Sequence, residues 1–180
     1  MGIFKSIIQL VNREYPTKTL IKRGLKVGKG FSRQQGCFID PSHCWLITIG
    51  DNVTFSIRVT VLAHDASMKQ SLGYARIAKV NIDDNVFLGA NTTILPGVHI
   101  GEGTIIGANS VVTKDIPAGC VAVGNPAKVL CSKEDWLKRI KTEYEGSLVF
   151  EEEYTERMNV TDEKKNEMIE RMGSNSAFIV

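Results

Sequence analysis

Residues 80–115, VNIDDNVFLGANTTILPGVHIGEGTIIGANSVVTKD, place Ile82, Leu88, Ile94, Ile100, Ile106 and Val112 on one phase of a six-residue repeat. Two positions before each of these stand Val80, Val86, Thr92, Val98, Thr104 and Ser110, so inward candidates alternate as the two-residue period of a strand requires. Three positions after each aliphatic stand Asn85, Asn91, Gly97, Gly103, Asn109 and Asp115. Glycine, and less readily Asn or Asp, accepts the left-handed backbone that a sharp corner between strands demands. An amphipathic helix needs a spacing near 3.6, which a step of six does not supply. Strand, corner, strand, repeated, is the mark of a parallel β-helix, in which stacked coils bury a core that no single repeat can bury.

Outside this stretch the register is looser. Val27 with Gly30 and Ile39 with Ser42 keep phase, but Arg33 occupies an aliphatic position. Trp45 to Ile49 is a short step, which predicts a bulge or small loop near His43 to Leu46 before Phe55 and Val61 resume the pattern. Residues 66–79, ASMKQSLGYARIAK, interrupt the repeat and read as an external loop. The division expected is an N-terminal helical segment over 1–24, a β-helix over 25–130 carrying that loop, and a C-terminal helical extension over 131–180. Ile3, Phe4, Ile7, Ile8 and Val11 give the first segment an amphipathic stripe. Ser132 with Asp135 forms a capping-box pattern ahead of Trp136, Leu137 and Ile140. The last residues, GSNSAFIV, show no usable periodicity.

The chain resembles the hexapeptide-repeat, left-handed β-helix acyltransferases, most closely those that acetylate polysaccharides and small sugars. The likeness runs over about residues 25–131 and is densest in ILPGV, IGANSVVTKD and GNPAKV. The hand of the coil comes from this resemblance alone, because a six-residue period does not choose it.

The resemblance implies a site. A histidine directly after a regular coil and before an extended loop is the family's catalytic base, and His64 in VLAHD is the matching residue. An imidazole titrates near neutrality and accepts a hydroxyl or amine proton there. The implied reaction is direct transfer from acetyl-CoA without an acyl-enzyme. The backbone N–H of Ala90, next to Gly89, is the implied oxyanion donor. Asp40 and Asp65 are the candidates to orient His64 or to bind the acceptor, although neighbours on a strand point oppositely, which weakens Asp65. Cofactor positions carried over by the same matches are Phe87, Gly89, Ala90, Gly107, Ala108, Thr113, Lys114 and Lys128, the two lysines suiting the coenzyme's phosphates. The family forms trimers with active sites between neighbouring copies, so a homotrimer is expected.

Composition sets the remaining bounds. A chain of 180 residues with 43% hydrophobic content can bury a substantial core, and a formal charge of +2 points to neither nucleic acid nor a membrane surface. Cys37, Cys44, Cys120 and Cys131 show no CxxC pair, which reads as packing residues in a reducing cytoplasm. The N-terminal apolar run is too short to span a bilayer and lacks a cleavage motif. Three scattered histidines, with His99 on an outward strand position and His43 at the register slip, argue against the three-histidine metal site of related β-helix carbonic anhydrases, so no metal is expected. The alternatives are amino-sugar N-acetylation, serine O-acetylation and a non-catalytic scaffold.

Overall fold

The computed structural model describes residues 14–180, and the stripe from Ile3 to Val11 lies outside them. Of the N-terminal segment, Thr17–Lys22 form α1, anchored by the fully buried Leu20. The chain then runs through short strands in a fixed rotation. β1 (Lys26–Val27), β2 (Ser32–Arg33) and β3 (Phe38–Ile39) make a first circuit. β4 (Ile47–Ile49), β5 (Thr54–Phe55) and β6 (Thr60–Val61) make a second. An antiparallel hairpin of β7 (His64–Asp65) and β8 (Arg76–Ile77), with the one-turn α2 (Lys69–Leu72) at its tip, interrupts the series. β9 (Val80–Ile82), β10 (Phe87–Leu88) and β11 (Thr93–Ile94) follow, then β12 (His99–Ile100), β13 (Ile105–Ile106) and β14 (Val111–Val112). β15 (Cys120–Val123) and the antiparallel β16 (Lys128–Ser132) end the series.

Three parallel faces result. The first stacks β1, β4, β9 and β12; the second stacks β2, β5, β10, β13 and β15; the third stacks β3, β6, β11 and β14. Every aliphatic of the repeat, from Ile82 to Val112, is at most 1% exposed. The positions two residues earlier are buried too, including Thr92, Thr104 and Ser110. Their hydroxyls are satisfied: Thr92 donates to Gly89 O (2.8 Å), Thr104 to Pro117 O (2.7 Å), and Ser110 accepts the Gly124 N–H (3.0 Å). Each buried aliphatic contributes about 1.5–3 kcal/mol, and the neighbouring circuits supply the apolar partners that a lone two-residue strand lacks.

The corners follow the expected chemistry with one correction. Asn85, Asn91, Gly97, Gly103 and Asn109 have positive φ, whereas Asp115 does not. Asp115 instead accepts the His99 N–H on its carboxylate at 2.8 Å, so its side chain serves that corner where a left-handed backbone serves the others. The register slip is a 3₁₀ turn over Cys44–Leu46, after which Ile47 and Ile49 align with Val80 and Ile82. Arg33 aligns with Phe55 and sends its guanidinium to the Tyr15 carbonyl, which lets a cation stand in an aliphatic position.

Arg58 shares a corner column with Asn91 and Asn109 and has φ 57°, in the left-handed region that a side chain with Cβ resists. We expect Arg58→Gly to stabilise the chain by about 0.5–1 kcal/mol, the strain relieved less the added backbone entropy of glycine in the unfolded state. A rise in the urea midpoint at constant m-value is the reading; a fall would mean that the Arg58 side chain does more than tolerate its corner.

Residues 135–180 form a second compact unit. The helical extension expected there is present as the latter part of α3 (Lys133–Glu145) and as α4 (Asp162–Met172), but Leu148–Phe150 and Ala177–Ile179 also pair as a two-stranded parallel sheet. The buried Phe150 is its anchor, with Tyr154 and the Arg171 guanidinium each 5.0 Å from its ring. A terminal strand of three residues is too short to show a period, which is why the sequence reads as structureless there.

Candidate active site

His64 opens the hairpin that breaks the repeat, so its backbone leaves the third face while its side chain stays at the rim, one third exposed. Its Nδ1 lies 2.5 Å from Oδ2 of Asp40, which follows β3 in the preceding circuit. Asp40 is fully buried. Its Oδ1 accepts the Ser42 N–H (3.0 Å) and its Oδ2 accepts the Ala63 N–H (3.1 Å). Burial alone pushes the Asp40 carboxyl up, but the hydrogen bond from His64, the two backbone N–H groups and the nearby imidazole charge outweigh it and hold the carboxyl below its ordinary value. A carboxylate fixed by three donors fixes the imidazole in turn: with Nδ1–H given to Asp40, Nε2 keeps a lone pair.

A carboxyl held below its unfolded value of about 3.9 contributes stability that is complete above that pH and is lost as pH falls through the lower folded value. The stability difference between the wild type and Asp40→Asn should therefore shrink as pH falls below about 4. Urea titrations of both proteins across that range would read it; a difference that persists unchanged into strong acid would contradict the charged, hydrogen-bonded Asp40.

Asp65 makes no hydrogen bond to His64 among the described residues. It accepts the Ser67 N–H (2.8 Å), which holds its carboxyl below the ordinary range. His64 and Asp65 nevertheless line one cavity of about 470 Å³ with Leu62, Arg76, Leu95, Pro96 and Thr113. The Arg76 guanidinium lies over Gly97, where an added Cβ would come within 3.3 Å of Nη2. Leu62, Leu95 and Arg76 are members of this cavity that the six-residue pattern did not single out. The signal for Leu95 was available, since it lies one circuit of eighteen residues before Thr113 at the same corner, as Ile82 lies before Ile100.

The other nominated residues stand elsewhere. Phe87 is on the outer side of the second face, 42% exposed. Gly89 and Ala90 follow it at the corner between the second and third faces, with Gly107 and Ala108 stacked beside them one circuit on. A Cβ on Gly89 would lie 2.5 Å from the Ala108 nitrogen, so the stacking of circuits is itself enough to demand glycine there. The Ala90 carbonyl accepts the Asn109 N–H (2.8 Å), while its own N–H has no hydrogen-bond partner among the described residues. Lys114 and Lys128 are exposed, the first beside Thr113 and the second at the start of β16. His99 is exposed and pairs with Asp83 (2.8 Å).

Most of the nominated residues thus fall on two corners. His64, Asp65 and Thr113 share the corner leaving the third face; Gly89, Ala90, Gly107 and Ala108 share the corner entering it.

Comparison with known proteins gives this arrangement a context. Residues 79–114 match the family model described as "Bacterial transferase hexapeptide (six repeats)". The Bacillus subtilis (strain 168) protein named "Putative acetyltransferase YvoF" is 39% identical over 117 residues, 65% of this chain and 66% of that protein. A maltose O-acetyltransferase from Clostridium difficile 630 is 41% identical, with TM-score 0.54 over 61% of this chain and 59% of that one. A hexapeptide-repeat acetyltransferase from Vibrio cholerae O1 biovar eltor, solved in complex with acetyl coenzyme A, is 26% identical, with TM-score 0.55 over 61% of each chain. These alignments leave a third or more of each of the three relatives uncovered.

Proposed function

The chain belongs to the bacterial transferase hexapeptide family, and on that footing we propose that it is an acetyl-CoA-dependent O-acetyltransferase acting on a sugar or polysaccharide precursor. The observation that carries this reading is the Asp40–His64 pair, with His64 lining the cavity. His64 takes the acceptor's hydroxyl proton as the oxygen attacks the thioester carbonyl of acetyl-CoA. The tetrahedral intermediate collapses to the acetyl ester, and the departing thiolate of coenzyme A takes the proton from the imidazolium. Nothing becomes covalently attached to the protein.

The developing oxyanion is assigned to the Ala90 N–H. His64 and Ala90 stand on different corners, so the complete site takes His64 from one copy and Ala90 from a neighbour. A homotrimer built on left-handed β-helices supplies three such clefts, and closed cyclic symmetry makes them equivalent. Phe87, Gly89, Gly107 and Ala108 then line the coenzyme's pantetheine arm from the neighbouring copy, while Thr113, Lys114 and Lys128 serve its polar and phosphate groups. Acetyl-CoA and the carbohydrate acceptor are the partners, with no metal in the chemistry.

No helix among the described residues is long and apolar enough to cross a membrane. The buried Cys37, Cys44 and Cys120 each turn Sγ to a backbone carbonyl, a packing use of thiols that fits a cytoplasmic setting.

Asp65, Arg76 and Thr113 give the cavity hydroxyl-matching groups beside the apolar Leu95 and Pro96. Arg76 also favours a second class of acceptor, one carrying an anionic group such as the carboxylate of serine. Release of free thiol from acetyl-CoA, followed across neutral sugars, amino sugars, sugar phosphates and serine, tests both readings. Turnover with a neutral sugar hydroxyl supports the first, turnover confined to anionic acceptors the second. Absence of turnover and of coenzyme binding would leave a scaffold.

A further inference from the structure

We propose that Asp40, His43 and His64 form a binding site for a divalent cation of the zinc class, and that the bound ion switches off the His64 base. Three ligand atoms converge: a ring nitrogen of His43, a ring nitrogen of His64 and a carboxylate oxygen of Asp40 all lie within 4.8 Å of one another. Asp40 Oδ2 is 2.5 Å from Nδ1 of His64 and 3.9 Å from Nδ1 of His43. The two imidazole rings stand 5.0 Å apart at a tilt of 45°.

An independent observation points the same way. Nδ1 of His43 is buried and makes no hydrogen bond among the described residues, although it faces a carboxylate. A buried polar nitrogen left without a partner costs about 1–3 kcal/mol, so the arrangement invites an occupant that uses its lone pair. The placement is a product of the register slip: His43 is the residue that leads into the 3₁₀ turn over Cys44–Leu46, and its ring also packs against Trp45 at 5.4 Å.

Two imidazoles and one carboxylate are the borderline donor set that zinc-class ions prefer over magnesium or calcium. Bonds of about 2.0–2.2 Å in a tetrahedron set ligand atoms about 3.3–3.6 Å apart, so the contact to His64 lengthens and the one to His43 shortens by about 1 Å or less. The side chains of His43 and His64 are 28% and 33% exposed, which leaves a fourth position for water.

The chemical consequence lies in the tautomer. The ion occupies Nδ1 of His64, where the proton given to Asp40 otherwise sits. The single remaining ring proton then resides on Nε2, which becomes a donor and no longer accepts the acceptor's proton. Binding and base catalysis exclude one another through one imidazole. This inhibitory half rests on the role of His64 proposed above; the binding half does not.

The test starts from the full chain stripped with a chelator. Titration with cobalt(II) is expected to give one saturable equivalent with the intense ligand-field spectrum of a four- or five-coordinate ion. His43→Ala, and His43→Phe to preserve packing against Trp45, should weaken binding by at least about 10–100-fold, the loss that changes even outside the ligand set produce. Zinc should inhibit thiol release by the wild type, chelator should restore it, and the His43 variants should keep their activity in the presence of zinc. Absence of the cobalt spectrum, or equal binding by folded His43 variants, would overturn the site. His43-dependent cobalt binding without inhibition by zinc would overturn the switch. A chain that binds cobalt through His43 yet transfers no acetyl group after chelation would uphold the site and overturn the reading of the reaction.

Discussion

We expect His64→Ala to lower kcat/KM for acetyl transfer by about 10²–10⁴-fold, or about 2.7–5.5 kcal/mol of transition-state stabilisation, with the fold retained. The size follows from the geometry. His64 is the imidazole whose Nδ1 is engaged by a buried carboxylate and which lines the cavity. The loss should fall on kcat more than on KM, because proton removal happens on the way to the transition state and not in binding the coenzyme. Stability should drop by about 1–3 kcal/mol at most, since Asp40 keeps its backbone donors Ser42 and Ala63 when the imidazole is gone.

A second variant separates a base from a residue that merely fills space. Asp40→Asn presents an amide to Nδ1 and destabilises the tautomer that leaves Nε2 free, so it should lower kcat in its own right. If the two side chains act as one unit, His64→Ala combined with Asp40→Asn is no slower than His64→Ala alone. Steady-state thiol release with circular dichroism as a folding control measures all three variants. A His64→Ala protein that keeps more than half of wild-type activity would remove His64 from the chemistry.

The repeat was legible because each of its positions carries one instruction. Ile82, Leu88 and Ile94 are buried because an aliphatic recurs wherever a circuit turns inward, and Asn85, Asn91 and Gly97 turn corners because few residue types accept a positive φ. Asp115 shows the limit of that reading. The same residue type that can adopt a left-handed backbone can also receive a backbone N–H on its side chain, and only the position of His99 in space decides between them.

The site was legible in parts for a similar reason. Asp40 precedes His64 by 24 residues, farther than the regular eighteen-residue circuit, because the 3₁₀ turn at Cys44–Leu46 lengthens the path. That slip hides the pairing from any fixed-period reading and also sets His43 beside both residues. Arg76 is brought to the cavity by antiparallel pairing of β8 with β7, which depends on a hairpin whose loop has no repeat to align. The division of the remaining residues between two corners is the opposite case. It follows from counting strands around the circuit, which sequence alone permits once three strands per turn are known.

That division leads to a second large effect. From Ala90 to Pro96, which borders the His64 cavity, the chain runs six residues along the third face with β11 between them. At about 3.3 Å per residue this is a span of up to about 20 Å. A thioester carbonyl must lie about 3 Å from its oxyanion donor while the attacking oxygen touches the base, and with the two groups at opposite ends of the third face we infer that they reach one carbonyl from neighbouring copies. His64→Ala and Ala90→Pro should each be nearly inactive alone, the latter because proline deletes the N–H and disturbs no other hydrogen bond of that nitrogen. Mixed in equal amounts during assembly, they should recover about a quarter of wild-type activity, the chance that both halves of a shared cleft are intact. Against a background about 10²–10³-fold below wild type, that recovery is a gain of well over tenfold. A mixture that stays as inactive as its components would place the whole reaction on one chain, and the assignment of Ala90 as the oxyanion donor would then be lost with the shared cleft.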